Sequence, residues 1–104
     1  MLAELLHIER VRVGLESSSK DAALLTVASL LTMPEDAANV ESVYEVLVER
    51  ERLASTGVGS GVAIPHGRSE DFDELRAAVA VYPSGVDFEA VDGLPVQIIV
   101  GIIG

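Results

Sequence analysis

Apolar residues along this chain change their spacing twice, from helical to irregular to the continuous runs expected of buried strands. Leu24, Val27, Ala28 and Leu31 recur at helical intervals, with Leu25 and Leu30 widening the face. This predicts a helix that starts at a Ser18 N-cap, with Asp21 three residues on, and is stopped by Thr32-Met33-Pro34. Asn39 is a good cap for a second helix that carries Val40, Val43, Val46 and Leu47 inward and runs out in Glu49-Arg50-Glu51-Arg52. Ahead of both, residues 1–9 read as a short helical stretch, and the alternation of Val11 and Val13 with polar neighbours reads as a brief strand.

The second half is strand-like. Ser55-Thr56-Gly57 with Gly59 and Gly61 reads as a flexible connection to a short strand at 62–64. An acidic turn at 69–74 leads to a strand over 77–82, which Pro83-Ser84-Gly85 is expected to turn. Residues 86–88 are expected to pair briefly, Asp92-Gly93 is a turn signal, and 96–103 reads as a central strand. Helices interleaved with apolar strands predict an α/β single-domain sandwich, a central mixed β-sheet flanked by helices. A buried strand ordinarily has helices on both faces, and only two substantial helices are foreseen. The expectation is therefore a C-terminally truncated domain, or a second copy of the chain covering the exposed sheet face.

Composition narrows the function. The 104 residues carry seven basic and seventeen acidic side chains, a formal net charge of −10, which repels a phosphate backbone and argues against nucleic acid. An acidic surface suits a partner protein with a basic face. Cysteine is absent, and no apolar run is long enough to span a membrane, so the chain reads as a cytoplasmic protein without membrane insertion. The two histidines are far apart in sequence and no His-Glu-x-x-His spacing occurs, so neither a metal nor a cofactor is expected. Gly57-x-Gly59-x-Gly61 follows a helix and precedes a strand, the reverse of the order that sets a phosphate on a helix N-terminus.

The segment with the most chemistry is Gly-Val-Ala-Ile-Pro-His-Gly-Arg, residues 61–68. Pro65 fixes its own φ and pushes Ile64 into extended geometry, so His66 sits on a stiff element, and a neutral imidazole is a competent nucleophile. Gly67 removes side-chain bulk beside it, and its N–H is suited to cradling an anion. Arg50 reads either as a helix-end cation or as a fork for two phosphoryl oxygens, and Thr56 either as a turn former or as a hydroxyl donor to the same group. Arg52, Arg68 and Ser55 have weaker claims, and His7 reads as an ordinary surface residue.

Two stretches, residues 50–59 and 61–68, resemble the fructose/mannitol/nitrogen-regulatory type of phosphotransferase-system EIIA domain. The likeness extends to Ser18-Ser19-Lys20-Asp21, to Val86-Asp87-Phe88, and to Asp92-Gly93 with Pro95-Val96. It implies that His66 is the phosphorylated residue, with Arg50, Thr56 and Gly67 about the phosphoryl group. The implied activity is a phosphohistidine carrier that accepts from the histidine phosphocarrier HPr, or its nitrogen-branch counterpart, and passes the group to an EIIB domain or keeps it as a regulatory mark. Related domains place further helices and a second histidine after the last strand seen here. The alternatives are a regulatory binding module that relays nothing, and a self-associating fragment.

Overall fold

The computed structural model describes residues 7–17 and 19–104. A 3-10 turn at Ile8–Arg10 leads into β1 (Val11–Arg12), followed by α1 (Lys20–Leu31), α2 (Val40–Glu51), β2 (Gly57–Gly59), β3 (Val62–Ala63), β4 (His66–Gly67), β5 (Arg76–Val86) and β6 (Val96–Ile103). Local chemistry explains both helices. Ser19 caps α1 with an extended backbone and an Oγ that accepts from the Ala22 N–H at 3.1 Å. Asn39 and Ser42 cap α2 reciprocally, Asn39 Oδ1 accepting from the Ser42 N–H at 2.8 Å and Ser42 Oγ from the Asn39 N–H at 3.1 Å.

The six strands form one mixed sheet in the order β1-β5-β6-β3-β2, with β4 pairing β6 on the side that β3 also occupies. β6 is central, antiparallel to β5 and parallel to β3 and β4. Strand alternation gives the sheet two unlike faces. Ala78, Ala80 and Tyr82 of β5 and Ile99 and Ile103 of β6 are buried toward the helices, with Gly101 beneath Val27 and Leu31 of α1. The other face carries Val79, Val81, Val100 and Ile102, all half-buried, and Ile98, which is 41% exposed. Asp36, between the helices, takes a two-pronged bond from Arg76, Nη1 to Oδ2 at 2.5 Å and Nη2 to Oδ1 at 3.0 Å, tying the interhelical loop to the start of β5.

The α/β sandwich with a central mixed sheet is present, and several details differ from expectation. Ser18 and residues 1–6 lie outside the described residues, and the observed cap is Ser19, one position later. β1 stops at Arg12, leaving Val13 70% exposed. The glycine-rich connection is a hairpin in which Gly57 and Gly59 pair with Ala63 and Val62, and Gly59, Ser60 and Gly61 all take positive φ. Such angles favour glycine, and a tight reversal needs them. Pro83-Ser84-Gly85 does not turn the chain. β5 passes through these residues, and the ladder with β6 breaks after Val81 and resumes at Val86 paired with Val96, so the proline sits in an irregularity that needs no ladder donor.

Candidate functional site

β3 and β4 are two pieces of one extended segment. Val62 pairs with Ile98 and His66 with Ile102, the same offset, so Pro65 interrupts the ladder without shifting it. Proline has no N–H to give, yet its carbonyl accepts from the Ile102 N–H at 3.0 Å. His66 is thereby fixed in the sheet, and it is exposed. Its Nδ1 lies 2.8 Å from the Ile64 carbonyl oxygen. A carbonyl only accepts, so Nδ1 carries the hydrogen and Nε2 is left with a free lone pair. The main-chain oxygen of Ile64 thus orients the ring at Nδ1.

α2 packs directly over the neighbouring residue. A Cβ built on Gly67 would run into Val46 Cγ1, so glycine here lets the helix approach the strand. Arg50 lies one turn beyond Val46 on the same stripe, half-buried, with Nη1 donating to the Ala54 carbonyl at 2.9 Å. Thr56 stands on the other side of the segment, its carbonyl accepting from the Ile64 N–H at 2.9 Å. The fold thus gathers Arg50, Thr56 and Gly67 around the strand that carries His66. Thr56 is buried, and its hydroxyl donates to Glu51 Oε1. Ser55 Oγ donates to the Phe88 carbonyl at 2.6 Å, Arg52 pairs with Glu49 at 2.6 Å on the surface, and Arg68 and His7 are exposed.

Around the hairpin, Asp92 accepts from the Ser60 N–H at 2.9 Å and the Leu94 N–H at 3.0 Å, which hold its carboxyl below the usual carboxylate range. This pins the turn at 59–61 to the loop before β6. Leu53, Val58 and Val91 are exposed. Among the described residues no group of three or more His, Cys, Asp or Glu side chains is placed to hold a metal, and no helix is long and apolar enough to cross a membrane.

One residue of the site escaped the sequence reading. Glu51 reads in sequence as part of a charged helix end, yet it is buried, pairs with Lys20 Nζ at 2.7 Å, and accepts from both the main chain and the hydroxyl of Thr56. The available signal was its place on the stripe Val43, Leu47, Glu51, where each step is four residues and the first two are core.

Residues 4–104 match the family described as phosphoenolpyruvate-dependent sugar phosphotransferase system, EIIA 2. The chain belongs to this EIIA family. It is 36% identical over 98 residues to a nitrogen regulatory protein of Pseudomonas aeruginosa, covering 94% of this chain and 64% of that protein. It therefore spans less than two-thirds of that relative. Among solved structures, nitrogen regulatory protein IIA-Ntr of Neisseria meningitidis superposes with a TM-score of 0.91 at 34% identity, covering 98% of this chain and 69% of that one. Mannitol enzyme IIA of Escherichia coli, solved in complex with phosphorylated mannitol enzyme IIB, shares the fold at a TM-score of 0.72 and 23% identity, with 93% and 68% covered.

Proposed function

We propose that this EIIA chain is a phosphohistidine carrier of the nitrogen-regulatory kind, in which His66 takes a phosphoryl group from HPr or its nitrogen-branch counterpart. The observation that carries this reading is the Nδ1 bond to the Ile64 carbonyl, which leaves an exposed Nε2 with its lone pair outward. In the step, Nε2 donates that pair to phosphorus, and the N–P bond of the donor breaks with its electrons returning to the donor ring. The Nδ1 hydrogen stays on His66, where the Ile64 oxygen stabilises the positive charge that the ring gains. Phosphoryl transfer depends on position and charge neutralisation more than on covalent help. Arg50 has N–H groups beyond the one given to Ala54. The room foreseen at Gly67 is filled by Val46 Cγ1, so this glycine serves by letting α2 close on the strand that carries His66. Thr56, whose hydroxyl hydrogen is given to Glu51, serves by holding the segment; a second role as donor to the phosphoryl group requires that hydroxyl to rotate.

The nitrogen-regulatory assignment is supported by the Pseudomonas and Neisseria relatives, and an EIIB domain or a regulated protein is the onward partner. The carrier reading calls for the cytoplasm, where phosphoenolpyruvate and HPr are found. Incubation with phosphoenolpyruvate, enzyme I and HPr, followed by mass spectrometry, should give one acid-labile phosphate on His66 and none on His66→Ala. Absence of label on the folded wild-type chain refutes the carrier reading and leaves a binding module. A second reading, self-association through the sheet face, is favoured by the exposure of Ile98, and a monomer in sedimentation across a dilution series refutes it.

A further inference from the structure

Lys20 and Glu51 each sit at the wrong end of a helix. Lys20 is the first residue of α1, where the helix dipole is positive, and Glu51 is the last of α2, where it is negative. Both also fall on stripes that are otherwise core, Lys20 four residues before Leu24 and Glu51 four after Leu47. Their side chains keep only 17% and 4% of their accessible surface. Burying two charges costs about as much as their attraction returns, so stability alone does not account for the pair. What the pair holds is more informative.

Glu51 receives the Thr56 N–H on both carboxylate oxygens, at 3.2 and 3.1 Å, and the Thr56 hydroxyl on Oε1. The Thr56 carbonyl takes the Ile64 N–H, and the Ile64 carbonyl takes His66 Nδ1. Lys20 holds Glu51 from the far side, its ammonium 4.9 Å from the centre of the Phe88 ring, and Phe88 is fully buried. An unbroken series of bonds therefore runs from the start of α1, through a buried carboxylate and two main-chain residues, to the nitrogen that fixes the tautomer of the reacting ring. The two main-chain residues have no titrating hydrogen, so the series transmits position.

We infer that Glu51, locked by Lys20, is a positioning residue for His66: it sets the height of Thr56 against Ile64 and so the aim of Nε2. This rests on His66 being the phosphoryl acceptor, and its test includes a readout that does not. In wild type, imidazole nitrogen NMR should show the Nδ1–H form of neutral His66. In Glu51→Gln, which keeps the shape and loses the charge, and in Lys20→Met, which keeps the stem, the ring nitrogens should move toward a mixture of tautomers. Lys20→Arg should restore the wild-type spectrum. In the phosphoryl-transfer assay the same two variants should lose about 10- to 100-fold in kcat with the KM for phospho-HPr unchanged, since both side chains are withdrawn from the surface a partner would meet. Wild-type tautomer and kcat in folded Glu51→Gln overturn the proposal. If that variant does not fold, Lys20→Met decides in the same way. If wild type takes no phosphate at all, the carrier reading fails while the tautomer shift still judges the positioning role.

Discussion

A ring nitrogen held by a carbonyl has its protonation pattern chosen for it, and His66 shows how little side-chain chemistry this takes. Arginine and lysine are not interchangeable as phosphoryl ligands, because only the guanidinium is a planar fork. Arg50→Lys is expected to slow labelling of His66 by about 10-fold, roughly 1.4 kcal/mol of barrier, without lowering the unfolding midpoint. Single-turnover kinetics with phospho-HPr and a urea titration check the two halves of that statement. His66, Arg50 and Gly67 are legible as candidates because each stands in a motif whose residue types suit one chemistry; the labelling assay tests their roles, and the room expected at Gly67 is filled by Val46. Glu51 was not, since a glutamate inside Glu-Arg-Glu-Arg has the appearance of a solvated charge. Only its spacing from Val43 and Leu47 betrays that it faces inward. Thr56 reads in sequence either as a turn former or as a donor to the phosphoryl group, and nothing in the local sequence foretells that its hydroxyl turns to Glu51.

At the level of elements, α2 and β4 are fitted to one another with no space between them. Gly67→Ala forces a methyl against Val46 Cγ1 and should cost about 1–3 kcal/mol in chemical denaturation, and Val46→Ala in the same chain should recover part of it. Non-additivity in that double-mutant cycle is the measurement; simple addition would mean that the two do not touch. Both helices were readable from their caps and periodicity, to within one residue at the start of α1. β3, β5 and β6 were readable as apolar runs, but β2 at Gly57–Gly59 and β4 at His66–Gly67 were not, and neither was the pairing. Glycines at 57, 59 and 61 signal backbone freedom equally for a loose connector and for a tight hairpin, and only the partner residues Ala63 and Val62 decide which forms. Pro83 misled for a similar reason. A proline needs a missing ladder bond, and an irregularity within β5 supplies this as well as a turn does.

For the whole molecule, the acid side of the stability curve should be governed by carboxylates that the fold holds ionised. Arg76 keeps the Asp36 carboxyl below its ordinary value, chiefly by their hydrogen bonds and despite opposing desolvation, and main-chain donors do the same for Asp92. A carboxyl depressed in the folded state stabilises fully above its unfolded pKa and ceases to do so as pH falls through the folded value. Unfolding free energy should therefore decline from about pH 5 toward pH 2. Asp36→Asn should flatten part of that decline and cost about 1–3 kcal/mol at neutral pH, as read from urea titrations at a series of pH values. The net charge of −10 steepens the need for such pairings, since seventeen carboxylates share seven cations. Because Pro65 leaves the strand in step on either side of it, the direction of the imidazole is a matter of parity. One residue inserted between Ala63 and His66 would bring the ring into the place of Gly67, under α2, where Val46 denies room even to a methyl group. Two inserted residues would turn it outward again. Odd insertions should silence the chain and even ones spare it, an on-off rule that mass spectrometry of the labelled protein would read directly.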